Sequence, residues 1–266
     1  MTNPTGDRWA AASAYEAYMG RWSRALAKAF LQWLEPAPSA HWFELGCGTG
    51  ALSAAILESC DPKSLTATEP SAPFLEFARD AVQDLRVTFV NAGADAPPSR
   101  DGGFDVSVSG LVLNFVPKLD EVLVVLRERL RAGGVLGAYV WDYASGMEFL
   151  RHFWDEVVAQ DAAAAGLDEG RRFGPWQPSD AAERFRRAGL SRVESAFIAI
   201  PTEFVDFDDY WRPFLGGTGP APAYVAGLEP ERRERLREGL EQRLPRSANG
   251  RIALSARAVA VRGVAA

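Results

Sequence analysis

The sequence predicts an α/β fold: a doubly wound, mostly parallel sheet with helices on both faces and helical cap insertions towards its end. Three observations carry this. Between residues 41 and 143 short apolar runs alternate with segments of helical periodicity. Strands that alternate with helices imply right-handed crossovers and a parallel sheet covered on both faces. The first run is followed at once by a glycine cluster, "ELGCGTG", that opens a helical pattern, and two β-branched runs, 191–200 and 251–261, come last.

Each element has its own justification. Ser13 to Leu34 reads as a helix, because Trp22, Leu26, Phe30 and Trp33 recur on one face. "EPAP" at 35–38 stops it, since proline lacks an amide donor and restricts the residue before it. "HWFEL" (41–45) is a strand and Gly50–Ser59 a helix; "LTATE" (65–69) is a strand and "APFLEFARDAV" (72–82) a helix. "RVTFVN" (86–91) and "FDVSVSG" (104–110) are strands. A helix runs from Pro117 to Leu130, with "AGG" (132–134) as its glycine terminator, before a fifth strand at 135–143.

After that come a helix over Glu148–Ala165, a loop "RRFGPWQP" (171–178), a helix over Asp180–Ala188, and the strands 191–200 and 251–261. The last two are separated by far more residues than a hairpin needs. That stretch holds an aromatic patch (204–217) and a charged helix (229–244). The expected organisation is a helical lid at 1–38, a core at 39–200 and 251–266 with a helical insertion at about 146–178, and an inserted helical cap at 201–250.

Composition narrows the function. With 47% hydrophobic and 24% charged residues the chain has ample material for a core. A net charge of −6 argues against nucleic acid as partner, because phosphate binding relies on clustered Lys and Arg. The two cysteines, Cys47 and Cys60, match no zinc spacing and are expected as free thiols; no metal is expected. There is no signal-peptide pattern and no apolar run of membrane-spanning length, so the expectation is a cytoplasmic protein without a membrane partner. Nothing in the sequence indicates an oligomeric state.

A glycine turn after a strand brings backbone close to a nucleotide, and this one fits two templates. As G-x-G-x-x-[GA], with Gly46, Gly48 and Ala51, it is a dinucleotide fingerprint. As acidic-x-G-x-G-x-G, with Glu44, Gly46, Gly48 and Gly50, it is the first motif of another nucleotide-binding group. The series "FELGCGTG", "TATEPS", "NAGADAPP", "FDVSVSGLVLNFVP" and "LRAGGVLGAYVWDY" resembles, in order and spacing, the class I S-adenosylmethionine-dependent methyltransferases. The small-molecule branch that includes the ubiquinone/menaquinone-biosynthesis type is most similar. The likeness covers 41–143, and 181–194 less closely. It implies a Rossmann-like sheet of strand order 3-2-1-4-5-7-6 with the last strand antiparallel, and S-adenosyl-L-methionine as cofactor.

The resemblance also assigns residues. Gly46, Cys47, Gly48 and Gly50 form the cofactor loop, where glycine admits sharp turns and close approach. Glu44 stands before it, and its negative charge suits an ammonium and a sulfonium better than a pyrophosphate. Glu69, about twenty residues on, is placed to accept from ribose hydroxyls, as the acid of NAD enzymes also does. Asp95 matches the adenine-binding aspartate, with the Ala94 or Asp95 amide facing the ring; Pro70 and Leu111 complete the set. Similar proteins fold an N-terminal helix over the cofactor, which makes Tyr15, Tyr18 and Arg21 candidates. The competing reading for these three is an amphipathic helix packed on the sheet.

The acceptor side is sparsely marked. Methyl transfer from a sulfonium needs mainly alignment and exclusion of water, and a base only for a nucleophile that arrives protonated. Asp142 and Tyr143 end the fifth strand and His152 follows it; these three are the candidates. His152 competes with a helix-surface role and Asp142 with a capping role; His41, at the opposite end of the sheet, reads as structural. Aromatic segments at 171–178 and 208–222 suit a flat, apolar acceptor. The region "SGLVLNFV" lacks the N/D-P-P-[YFW] signature of nucleic-acid amine methylation. The expected function is methylation of a small, apolar or aromatic molecule. The alternatives are an NAD-linked oxidoreductase and a non-catalytic S-adenosylmethionine-binding protein.

Overall fold

Neighbouring residues of a strand face opposite sides of its sheet, so a strand buried at both needs cover on both faces. Residues His41–Leu45 (β1) meet that condition, with Trp42 and Phe43 both at 0% exposure. The structure is a computed structural model that describes residues 12–174 and 176–266. Before β1 lie α1 (Ala12–Tyr15), a π-helical turn (Glu16–Gly20) and α2 (Arg21–Leu34). After it come α3 (Ala51–Ser59), β2 (Ser64–Thr68), α4 (Ala72–Ala81), β3 (Val87–Val90) and β4 (Phe104–Gly110). A 3-10 turn (Leu113–Phe115), α5 (Leu119–Glu128) and β5 (Leu130–Trp141) follow. The later elements are α6 (Glu148–Gln160), α7 (Glu169–Arg172), α8 (Pro178–Arg187), β6 (Leu190–Phe204), α9 (Phe207–Trp211), α10 (Pro220–Ala226), α11 (Pro230–Arg243) and β7 (Ile252–Ala265).

The seven strands form one sheet in the order β3-β2-β1-β4-β5-β7-β6, parallel except for β7. This is the predicted Rossmann-like topology. The chain divides into two compact units. A sheet unit holds 23–140, 177–198 and 258–266; a helical unit holds, of the described residues, 12–22, 141–174, 176 and 199–257.

In the sheet unit, α2 lies close on β5: the Phe30 ring is 4.6 Å from Tyr139, and a Cβ on Gly137 would sit 2.8 Å from Leu34 Cδ1. The helix buries Leu26, Phe30 and Leu34, while the expected Trp33 is only half-buried. Arg262 stacks over Trp33 at 5.1 Å and donates to the carbonyls of Trp33 and Leu34 at 3.0 and 2.9 Å. A cation there satisfies the open carbonyls and the negative end of the helix.

Three expectations need correction. "AGG" does not cap the preceding helix, because α5 closes earlier with the Arg129 amide on the carbonyls of Val125 and Leu126 at 3.1 and 3.3 Å. Its glycines lie within β5, where Phe104 pairs with Leu130 but Val106 with Val135. Two steps on β4 thus face five on β5, and Gly133 takes φ +75° inside that bulge. The first helix is interrupted by the π turn rather than continuous. The helix expected to reach Ala165 stops at Gln160, where the Asp161 carboxylate accepts from the Ala163 amide at 3.1 Å and caps a separate 3-10 turn. Among the described residues no helix is long and apolar enough to cross a membrane.

Candidate functional site

The loops that leave β1, β2, β3 and β4 converge at the carboxyl edge of the sheet, where open α/β sheets bind ligands. The turn after β1 is hung on β2: the amides of Gly46 and Cys47 both donate to the Thr68 carbonyl at 2.8 Å. The Gly48 amide donates to Glu69 Oε2 at 3.1 Å, and Gly50 N closes the turn on the Cys47 carbonyl at 2.8 Å. Three successive amides are therefore committed within the protein, and the turn offers a ligand space rather than donors. Gly46 (φ +73°) is also a point of close packing, since a Cβ there would lie 2.6 Å from Val112 Cγ2. Around Gly48 (φ +55°) a Cβ would meet nothing within 4 Å.

Glu69 is fixed from two sides, its Oε1 accepting from the Ser71 amide at 2.9 Å. Asn91, at the end of β3, donates through Nδ2 to the carbonyls of Glu69 and Pro70 at 2.8 and 3.1 Å, tying the second loop to the third. A Cβ on Gly93 would approach Asp95 Oδ1 at 2.7 Å and Pro70 Cβ at 4.0 Å. Asp95 is exposed and Ala94 half-buried in that turn. Leu111, with φ +63°, donates its amide to the Tyr139 carbonyl at 2.8 Å and starts the fourth loop. The structure thus brings together the expected Gly46, Cys47, Gly48, Gly50, Glu69, Pro70, Ala94, Asp95 and Leu111.

Glu44 is enclosed behind the turn. Its Oε2 accepts from Ser53 Oγ at 2.5 Å, and burial pushes its pKa up to about 7, with the charge of Glu69 adding to the rise. Burial also raises Glu69, against the pull of the Ser71 and Gly48 amides. The Cys47 thiol is raised strongly by burial and stays unionised, so it is no nucleophile. Two acids, Glu44 buried and Glu69 half-buried, with no Lys or Arg paired to them among the described residues and with open space at Gly48 beside them, fit a ligand that brings its own positive charge and hydroxyl donors. Among the described residues no group of three or more His, Cys, Asp or Glu could hold a metal ion.

The remaining candidates lie in the helical unit. Tyr15 is half-buried in α1. Tyr18 is buried edge-on to Phe149 and Phe214 at 6.2 and 5.6 Å, and its hydroxyl has no partner among the described residues. Arg21 lies over the rings of Trp22 and Phe204 at 4.2 and 4.7 Å and donates to Asp209 at 3.1 Å. Tyr143 packs its ring 5.1 Å from Phe173. His152 is half-buried on α6, its pKa lowered by burial and by Arg243. His41 accepts or donates at Nδ1 with Ser64 Oγ at 2.7 Å, at the amino end of β1.

Asp142 is fully buried and committed: it accepts from Ser145 N and Oγ at 3.1 and 3.0 Å and from Arg257 Nε and Nη2 at 3.1 and 2.5 Å. These are the bonds of a capping and tethering carboxylate. Arg257→Ala is expected to lower stability by about 2 kcal/mol in urea unfolding, less than a fully buried pair because the guanidinium is partly solvated. Unchanged unfolding would show the tether to be idle. Sequence reasoning missed Ser53 and Asn91, which read as ordinary helix and strand-end residues.

Residues 43–136 match the family model of a methyltransferase domain. That match gives residues 43–136 as a methyltransferase domain, and the sheet order is that of the class I S-adenosylmethionine-dependent methyltransferase fold. S-adenosylmethionine is the cofactor of this class. More particularly, the chain is 30% identical over 175 residues to the highly reducing polyketide synthase sthA of Phaeosphaeria nodorum, covering 59% of this chain and 6% of that protein. It therefore spans only a small part of that curated relative. Among solved structures, phosphoethanolamine N-methyltransferase 2 of Haemonchus contortus, in complex with S-adenosyl-L-methionine, is similar with TM-score 0.58 and 15% identity over 95% of this chain and 56% of that one. The YcgJ protein of Bacillus subtilis gives TM-score 0.56 and 15% identity over 92% and 98%. These likenesses concern the fold, and none singles out the ubiquinone/menaquinone branch.

Proposed function

We propose that this protein is an enzyme that transfers a methyl group from S-adenosylmethionine to a small, apolar or aromatic molecule. The observation that carries the reading is the convergence of the glycine turn, the doubly held Glu69 and the Asp95 turn at one sheet edge. Glu69 keeps a free lone pair on each oxygen for ribose hydroxyls. Asp95 accepts from an adenine amine beside the Ala94 and Asp95 amides, and Pro70 and Leu111 flank the ring. Gly48 leaves room for the chain of the amino acid, and the N-terminus of α3 favours its carboxylate. The bound cofactor supplies a methyl group on positively charged sulfur.

Glu44 and Glu69 supply the negative charge that attracts it. No acid is needed to activate such a donor, and a base only for a protonated nucleophile. Tyr143 and His152 are the candidates for that base. His152 has a lowered pKa and is neutral at pH 7, able to take a proton. The buried hydroxyl of Tyr18, without a partner among the described residues, supports a ligand-facing role for that residue. The polyketide synthase relatives favour a small organic acceptor over nucleic acid.

Calorimetry tests the reading. S-adenosylhomocysteine is expected to bind at least ~10-fold tighter than NAD, a gap of about 1.4 kcal/mol. Tighter NAD binding would refute it in favour of an oxidoreductase. Binding without turnover across phenols, amines and enolisable ketones would leave a binding protein instead. Retained turnover in His152→Ala would remove that residue as base.

A further inference from the structure

Asn114 sits in the 3-10 turn Leu113–Phe115, four residues beyond the end of β4. Both of its side-chain polar atoms, Nδ2 and Oδ1, are buried, and neither finds a hydrogen-bond partner among the described residues. Among those residues it alone leaves two separate atoms, one a donor and the other an acceptor, unpaired on one side chain. Buried amides in folded proteins are almost always bonded, so such an orphan points to a partner that arrives from outside.

Its place in the fold says where that partner sits. Val112, two residues earlier, is pressed against Gly46 of the glycine turn. Leu111 holds a left-handed backbone that a branched residue rarely adopts, and such strain gathers at ligand sites. Leu113 is buried and anchors the turn, so the amide is carried on a fixed support beside the cofactor loop.

We infer that Asn114 binds the methyl acceptor, taking an edge on which a carbonyl and an N–H or O–H stand side by side, as in a lactam. A primary amide offers donor and acceptor in one plane, and a lactam edge returns the complementary pair. Two bonds to one planar group fix the acceptor's orientation, which is the main task left to the protein in this chemistry. Asn114 takes no proton itself; it is a positioning residue. The flanking Val112, Leu113 and Phe115 favour a flat, apolar body behind that edge. The inference rests on the cofactor reading given above.

The test uses 2-quinolone, which carries the lactam edge, and quinoline, which lacks it. Both are titrated into wild type and Asn114→Leu at saturating S-adenosylhomocysteine. Wild type is expected to prefer 2-quinolone by at least ~10-fold, because a site built to hydrogen-bond rejects an analogue that leaves it unpaired. The variant is expected to lose that preference, hold S-adenosylhomocysteine within about twofold, and melt no lower than wild type. A structural asparagine would instead lower the melting temperature. A wild type that binds S-adenosylhomocysteine yet shows no preference, or a variant that keeps it, overturns the Asn114 assignment alone. A wild type that does not bind S-adenosylhomocysteine overturns the cofactor reading and this inference with it.

Discussion

Gly46→Val is expected to abolish S-adenosylhomocysteine binding and to lower the unfolding midpoint by several degrees, whereas Gly48→Ala is expected to keep most of the stability and still lose affinity. The two glycines differ in what surrounds them. At Gly46 a side chain must adopt φ +73° and would push its Cβ to 2.6 Å from Val112. Left-handed backbone costs about 1–2 kcal/mol and overpacking about 1–3 kcal/mol. Together that is a large share of a typical total stability of about 5–15 kcal/mol. At Gly48 only the backbone strain remains, since a Cβ meets nothing within 4 Å. That emptiness is the space assigned to the ligand, so alanine there should weaken binding at least ~10-fold, or about 1.4 kcal/mol. Thermal melts and calorimetry on the same samples separate the effects. Wild-type affinity in Gly48→Ala would sink the placement of the ligand.

The second large effect is a pH dependence. Glu44 titrates near 7 in the folded protein because it is buried, against an ordinary value of 4.5. The folded state then holds a proton that the unfolded state has lost, so Glu44 makes the protein less stable as pH rises from about 4.5 through about 7, levelling off above that. The full effect is about 3 kcal/mol. Burial raises Glu69 and Glu169 as well, so they tilt the curve the same way. A cationic ligand favours the ionised carboxyl, so its binding expels the proton and tightens as pH rises towards 7 and a little beyond. Glu44→Gln should flatten that slope for S-adenosylmethionine, weaken binding at pH 8 and raise stability there. Calorimetry in buffers of different ionisation enthalpy counts the proton released. A slope unchanged by the substitution would show that Glu44 does not sense the ligand.

The parts of this molecule legible in the sequence are those written by local chemistry. Glycines that break the backbone after a strand, and acids at the ends of strands, declare themselves at fixed offsets, and they placed Gly46 to Gly50, Glu69 and Asp95 at one edge. The strand order followed from motif series rather than from any one strand. What stayed hidden depends on partners far along the chain. Asp142 is claimed by Arg257, 115 residues on, which no local pattern reveals. "AGG" offered a good helix terminator, yet the sheet took it as a bulge because α5 had already closed on itself. Asn114 looks like any loop asparagine until the fold buries its amide atoms with no hydrogen-bond partner among the described residues.

The hanging of the glycine turn on a single carbonyl of the neighbouring strand has a kinetic consequence. A recess whose shape is set by an adjoining strand is ready before its guest arrives, so occupancy needs little ordering of the host. Association should then run in one fast phase, and differences in affinity among guests should show up in how quickly they leave.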